Sequence, residues 1–518
     1  MNINLPNTWL KVKLGDICDI TYGKGLPTSK LLPEGYPVFG ANAVIGYYSE
    51  YLYELEKLLI SCRGANSGTI NMSPPKAFIT NNSLVLNFPA FEESLSKLLF
   101  FFLQACNKEK LVTGTAQPQV TINNAVELNI HLPPLNEQKR IVQKIEELFS
   151  EVDDGIQSLE TAKKQLDIYR ESILTQAFEG KLTEKWRNNQ VNKLNNSYKL
   201  IESINKSQEY EFNNLLLRWK ENVKDWEKFT KIEKKPAKPA KPKPFDDITE
   251  EIRLKHSIPS NWALFRLGNL FSISPQNGLY KPADQYNNYS TRIIRIDSFY
   301  DGKITEVDNL KRLNVTNDEL KTYQLNEHDL IINRVNSIEY LGKCAFVSRL
   351  NVNEPTVFES NIMRCKLIET VSPKYIAYYL SSIKGKNSLC LNAKHAVNQA
   401  SINQTDVGNA IIPLPDFPEQ IKVVELLEEN FEKIQILEKE ISNNLVILAK
   451  LKTSILTKAF LGRLIPQDPN DEPASVLLER IKAEKEEELA KANKAPKKPT
   501  KRKTKATKEN EPAQQELI

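Results

Sequence analysis

The feature that most constrains this chain is that it is written twice. Leu5-Pro-Asn-Thr-Trp9 and Leu14-Gly-Asp-Ile17 return as Ile258-Pro-Ser-Asn-Trp262 and Leu267-Gly-Asn-Leu270, at a shift of 253. Gln119-Val-Thr-Ile-Asn123 aligns with Gln399-Ala-Ser-Ile-Asn403, and Asn136-Glu-Gln138 with Pro418-Glu-Gln420. Ser172-Ile-Leu-Thr-Gln-Ala-Phe-Glu-Gly-Lys-Leu182 matches Ser454-Ile-Leu-Thr-Lys-Ala-Phe-Leu-Gly-Arg-Leu464 at eight of eleven positions. A chain of 518 residues exceeds what one core serves, and an internal repeat says how it divides. Between these matched edges the interiors, about 20–115 and 273–395, have drifted until only fragments align, such as Ile60-Ser-Cys-Arg63 beside Ile331-Ile-Asn-Arg334. A shared frame with different contents points to two readers of different things.

After each interior comes a long helical seam. Apolar residues fall at Ile141, Ile145, Leu148, Val152, Ile156, Leu159, Ala162, Leu166, Tyr169, Ile173 and Ala177. The second copy repeats the pattern with Leu427, Phe431, Ile434, Leu437, Ile441, Leu445, Leu448, Leu451, Ile455 and Ala459. This alternating spacing of three and four, held over roughly five heptads, is a coiled-coil seam that needs a partner helix. Each run opens after prolines (Leu132-Pro-Pro-Leu, Ile412-Pro-Leu-Pro) and stops near a glycine, Gly180 or Gly462. Two matched seams in one chain are expected to pair with each other, antiparallel, because that topology needs no long return connection. A helix of roughly 40 residues spans about 60 Å, or about 17 base pairs of duplex, so the pair would act as a spacer between two blocks.

The domain boundaries expected are 1–135 for the first block, 136–183 for the first spacer helix and 184–250 for a charged helical insertion ending in a Lys/Pro linker. A second block follows at 251–417, a second spacer helix at 418–464 and a polar, basic, disordered tail at 465–518. In the insertion, Leu216, Trp219, Val223 and Trp226 have helical spacing, and the Lys-Pro repeat after it reads as a stiff extended linker. Residues 231–244 carry six Lys against one Glu and residues 491–508 nine Lys or Arg and no acid, together +14. Since the net charge is +5, the rest of the chain is near −9, and any nucleic-acid surface on the folded part has to be a local patch. No apolar run approaches the ~18 residues of a membrane span, and the N-terminus lacks a signal-like apolar stretch, so no membrane partner and a cytoplasmic location are expected. The six cysteines are scattered without a C-x-x-C pair, and the four histidines share no metal spacing, so no metal site is expected.

Gln119-x-x-Ile-Asn123, Leu132-Pro-Pro-Leu-x-Glu-Gln-x-x-Ile-Val142 and Ser172-Ile-Leu-x-x-Ala-Phe-x-Gly-x-Leu182, each met again in the second half, resemble the specificity subunit of type I restriction–modification enzymes. The resemblance covers nearly all of 5–182 and 258–464. It implies an α+β fold: two globular α/β target-recognition domains in pseudo-two-fold tandem, joined by a long antiparallel two-helix coiled coil. It implies a non-catalytic subunit that reads a bipartite, asymmetric double-stranded DNA target. Its partners would be two methyltransferase subunits and two restriction/translocase subunits, with S-adenosylmethionine, ATP and Mg on those partners and no cofactor in this chain.

Base edges are read by amide and guanidinium groups on a rigid scaffold. The candidates are Lys24, Arg63, Asn66, Ser67, Gln117 and Gln119 in the first copy, and Arg334, Asn336, Ser337, Lys343, Asn398, Gln399 and Asn403 in the second. Each has a plainer alternative: an Arg after a strand is commonly a surface ion-pair partner, Asn-Ser pairs form turns, and recurring Gln119 and Asn123 suit a structural role at the helix entry. The spacer residues expected to carry the seam are Ile145, Leu148, Val152, Leu159, Leu166 and Ile173, with Leu427, Phe431, Ile434, Ile441, Leu448 and Ile455. No catalytic residues are assigned. Gly23-Lys-Gly25 lacks phosphate-loop spacing, Asn71-Met-Ser-Pro-Pro75 only mimics an amino-methyltransferase turn, and Pro415-Asp416 with Glu419 and Lys422 sits in the helix-start motif, where carboxylates cap. The main alternative is a coiled-coil scaffold that binds proteins and has no DNA specificity.

Overall fold

The computed structural model describes residues 5–64, 66–88, 93–106, 111–114, 118–190, 196–230, 235–300, 302–304, 309–348, 354–397 and 399–494. Two compact units result, one made of Met1–Leu159 with Asn443–Ile518 and the other of Glu160–Ser442. Four long helices matter for function: α1 (Leu135–Phe178), α2 (Ser197–Asp225), α3 (Phe417–Phe460) and α4 (Ala474–Lys494).

Both units build their reader on the same frame. The first holds a four-stranded antiparallel sheet in the order 19–22, 83–87, 58–61, 70–72, and a three-stranded sheet in the order 44–48, 36–39, 78–79 whose last pair is parallel. The second repeats this as 271–277, 362–367, 330–333, 344–346 and as 312–313, 286–294, 356–358, again with a parallel last pair. Leu58-Leu-Ile-Ser61 and Leu330-Ile-Ile-Asn333 are buried at every position, as short continuous apolar runs bounded by turns should be. A third hairpin-like sheet (335–336, 399–401, 394–396) belongs to the second unit. In each unit an edge strand, 10–13 or 263–266, pairs with the strand leading into α1 or α3.

The seams pair antiparallel within each unit. In the first, Ile141, Ile145, Leu148, Val152 and Ile156 of α1 share a cluster with Leu448, Ile455, Leu456 and Ala459 of α3, and Lys452 reaches Asp153 at 2.5 Å. In the second, Ile173, Leu174, Ala177 and Phe178 share a core with Val423, Val424, Leu427, Phe431 and Ile434, and Leu166 packs against it. The early part of one helix thus meets the late part of the other in both places. Ile441 is buried and Leu159 half-buried, each in its own unit. Three apolar positions of the sequence pattern do not join the seam: Tyr169, Leu437 and Leu451 are 50%, 45% and 42% exposed. The drift between a strict heptad and an α-helical turn rotates such positions out of a straight seam.

One expectation, about the chain after the second copy, is corrected. Residues 465–494 are not a disordered tail: α4 buries Ala474, Leu477 and Ile481 in the first unit's core, and Lys485 bonds Gly15 O and pairs with Asp19 at 2.9 Å. Three apolar residues at helical spacing hold a helix that composition alone marks as solvated. The insertion is likewise docked, since Leu200 and Ile204 of α2 lie in the second unit's core and Gln208 donates to Phe271 O at 3.0 Å. Among the described residues no helix is long and apolar enough to cross a membrane.

Candidate nucleic-acid interface

The recurrent motifs turn out to be joints. Glu137 and Glu419, both essentially fully buried, start the long helices. Glu137 accepts from Trp9 Nε1 at 3.0 Å and from Gln467 Nε2 at 2.6 Å, tying the edge motif to the segment after α3. Glu419 accepts from Asn261 at 3.2 Å, Thr183 at 2.8 Å and Arg187 at 2.6 Å, tying the other edge motif to the segment after α1. Gln138 and Gln420 each donate to a proline carbonyl five residues back, Pro133 and Pro415, at 2.8 and 3.0 Å. The helix-ending glycines have φ of +71° (Gly180) and +64° (Gly462), and a Cβ there would fall 2.3 Å from Pro259 Cγ or 2.5 Å from Pro6 Cγ. Only glycine meets both conditions.

The loops that leave this frame carry the candidate readers. In the first unit Lys24, Arg63 and Gln119 are exposed where adjacent strands end: Lys24 N donates to Ile79 O, and Arg63 bridges Gln119. Gly23 is needed there, because a Cβ would fall 2.2 Å from Thr80 O. Asn66 is exposed, but Ser67 is buried, its Oγ 2.8 Å from Gly64 O and 2.7 Å from Pro118 O, bracing the loop. Gln117 lies outside the described residues. Sequence reasoning passed over the exposed tyrosines of this unit, Tyr22, Tyr36, Tyr47 and Tyr51, which follow no periodic pattern.

In the second unit the backbone register corrects the alignment. Arg334 N donates to Asn361 O and Ile402 N to Arg334 O, just as Cys62 N donates to Asn82 O and Val120 N to Cys62 O. Arg334 therefore occupies the place of Cys62, not of Arg63, and Asn403 that of Thr121, not of Asn123. Function follows place: Thr121 and Asn403 each cap the next short helix, Asn403 by accepting from Thr405 N and Asp406 N. The loop from Arg334 to Gly342 is two residues longer than that from Cys62 to Gly68, so the two Asn-Ser pairs are not equivalent. Asn336 accepts from Ser337 N at 2.8 Å in a tight turn. Gln399 is exposed on the 394–401 hairpin, and Asn398 lies outside the described residues.

Lys343 is half-buried, donates to Ile296 O at 2.8 Å and sits 3.8 Å from the Tyr300 ring centroid, with Phe299 and Tyr340 also within reach. Burial pushes its ammonium below the ordinary value. Arg334 is more available: Nη1 donates to Ser360 O at 3.1 Å, while Nε is buried with no hydrogen-bond partner among the described residues. It lines a cavity of about 250 Å³ with Lys243, Asn277, Met363, Asn403, Gln404 and Thr405. Asn361, whose carbonyl Arg334 engages, lines a second cavity of about 540 Å³ that includes Tyr280, Lys281, Arg295, Lys311 and Glu359. Burial raises the Glu359 carboxyl, which pairs with Arg295 at 3.5 Å, while Lys281 pairs with Glu319 at 2.8 Å. No cluster of metal-ligating side chains occurs among the described residues.

The family described as the type I restriction modification DNA specificity domain matches residues 6–167 and 259–445, the two copies found by the repeat. The EcoKI specificity subunit of Escherichia coli (strain K12) is 26% identical over 69% of this chain, and the aligned part spans 64% of that subunit's length. The EcoBI specificity subunit of Escherichia coli is 23% identical over 93% of this chain and 94% of its own length. A solved structure described as addressing complex assembly and conformational transition of the type I R-M system shares the fold, with a TM-score of 0.58 at 19% identity over 89% of this chain and 100% of that one. With two copies of the family's domain on a common frame, the chain belongs to the type I restriction–modification DNA specificity subunits, the recognition component of those systems and not the catalytic one.

Proposed function

We propose that this chain reads a bipartite, asymmetric DNA target, one half-site per unit, and brings two methyltransferase and two restriction/translocase subunits to it in the cytoplasm. S-adenosylmethionine, ATP and Mg belong to those partners. The observation that carries this reading is one frame used twice with different contents: the strand order and backbone register repeat, while the groups at the strand ends differ, Cys62 against Arg334 and Lys24 against Leu279. Identical half-sites would need identical contents. Arg63, Asn66, Gln119 and Lys24 are the contacts assigned to the first half-site, and Arg334, Asn336, Gln399 and Asn403 to the second. Ser67, Ser337 and Lys343 are assigned to holding the loops that present them. The α1–α3 pair, 44 residues each and so about 66 Å long, is assigned to setting the gap.

The test is footprinting of the chain reconstituted with its methyltransferase on DNA carrying the motif found by methylome sequencing. Two protected half-sites flanking an unprotected gap are expected, and a single continuous protected site would overturn the two-reader assignment. A protein-only scaffold would show no sequence-dependent protection at all.

A further inference from the structure

The Lys/Pro segment between the copies does not behave as a free tether. Prolines recur every third residue at Pro236, Pro239 and Pro242, the period of a polyproline helix, and these are half-buried, half-buried and buried. Lys235, Lys238, Lys241 and Lys243 between them are exposed. Proline thus faces the protein, while Lys235 pairs with Glu227 at 3.5 Å and lies over the Trp226 ring and Lys238 lies over the Trp219 ring, which leaves Lys241 and Lys243 exposed. Trp219 of α2 donates Nε1 to Pro236 O at 2.9 Å, and the 271–277 strand takes hold through Ser274, whose N and Oγ donate to Ala240 O and Lys241 O at 3.4 and 3.1 Å. At its end the Phe245 ring fills a notch between Gly268 and Gly408, where a Cβ on either glycine would fall 2.0 Å from the ring. Asn269 closes the notch, accepting from Phe245 N at 3.2 Å.

This path carries Lys243 to the cavity lined by Arg334, Asn277, Asn403 and Gln404, a cavity with two cations and no carboxylate among its lining residues. Lys241 and Lys243 make no ion pair among the described residues. The segment's lysines therefore add to the Arg334 guanidinium that the second reader already places at that cavity. We infer that the clamped Lys/Pro segment is a DNA-backbone arm of the second unit, with Lys241 and Lys243 contacting phosphates beside the bases that unit reads. The inference rests on the DNA-reading assignment above. Phosphate contacts fix register and orientation without carrying sequence information, and each one adds to the salt dependence of binding.

The test is a salt titration of target-duplex affinity for the full chain in its methyltransferase complex, with wild type, Lys241→Ala/Lys243→Ala and Lys241→Arg/Lys243→Arg compared. With two contacts removed, the slope of log K against log salt is expected to shrink by about two in the alanine variant, with the preference for target over a duplex scrambled in the second half-site unchanged. The arginine variant keeps the wild-type slope. Both lysines are exposed, and an unchanged melting curve checks that the frame is intact. An unchanged slope in the alanine variant, with target preference present, would overturn the arm alone. Wild-type complex that binds target and scrambled duplexes equally would overturn the specificity reading itself.

Discussion

Arg187→Ala is the most informative perturbation of the frame. Its Nη1 donates to Glu419 at 2.6 Å and its Nη2 to Gly180 O at 2.7 Å, and the side chains of Arg187 and Glu419 are 14% and 0% exposed. Removing the guanidinium leaves the Glu419 charge buried, with only Thr183 at 2.8 Å and Asn261 at 3.2 Å to hold it. An uncompensated buried charge of this kind costs about 3–5 kcal/mol, and the two remaining neutral donors argue for the lower end, about 3 kcal/mol. Glu419→Ala costs less, because Arg187 keeps its bond to Gly180 O and is partly hydrated. The double variant is then less destabilised than the two single effects added, with a coupling of about 1.5 kcal/mol or more. Because the chain has two units, a single unfolding midpoint is the wrong measure. The assay is hydrogen exchange in peptides covering 172–190 and 258–266, read as local opening free energies in full-length protein. Loss of about 3 kcal/mol appears as slightly over two decades in opening equilibrium for Arg187→Ala. Additive single effects, or exchange unchanged in the 258–266 peptide, would refute the claim that this motif joins the end of α1 to the second copy's edge.

Other perturbations separate frame from reader. Gly462→Ala should destabilise the first unit by about 2 kcal/mol or more, since it combines a left-handed backbone, φ +64°, with a Cβ 2.5 Å from Pro6 Cγ; unchanged hydrogen exchange in peptides covering 455–465 would contradict this. Burial raises the Asp329 carboxyl above its ordinary value near 3.8, so its contribution to stability is full at acid pH and is lost as pH rises through the raised folded-state value. Asp329→Asn, which can still accept from Asn326 N at the position now held at 2.8 Å, should flatten the stability–pH profile of the second unit above about pH 4 without lowering stability at neutral pH, as urea titrations across pH would show. Four residues inserted in both α1 and α3, about 6 Å of helix, should lengthen the gap by about two base pairs and leave each half-site unchanged in the methylome. A changed half-site with an unchanged gap would sink the spacer assignment.

The seams show how much was legible without coordinates. Ile145, Val152, Leu427 and Ile434 stand out because helical burial has a period that one chain displays locally, and both helices lie where that period places them. The reader interiors were not legible to the same degree. Their shared strand order is carried by backbone hydrogen bonds, which any buried side chain permits, so 58–61 and 330–333 could diverge while keeping one register. Hence the placing of Arg334 opposite Arg63, one residue out, and of Asn403 opposite Asn123, two residues out.

From its own residues the chain dictates duplication, two long seamed helices and the positions of the motifs, because repeats, periodicity and proline or glycine punctuation are local properties. Tertiary structure alone decided what those motifs do: Glu137, Glu419, Gly180 and Gly462 join segments far apart in the chain, and their partners are set by packing that no window of sequence contains. It also decided that α4 and the Lys/Pro segment are seated and not free, since a short apolar face or a period of prolines holds a charged segment only where a complementary notch exists.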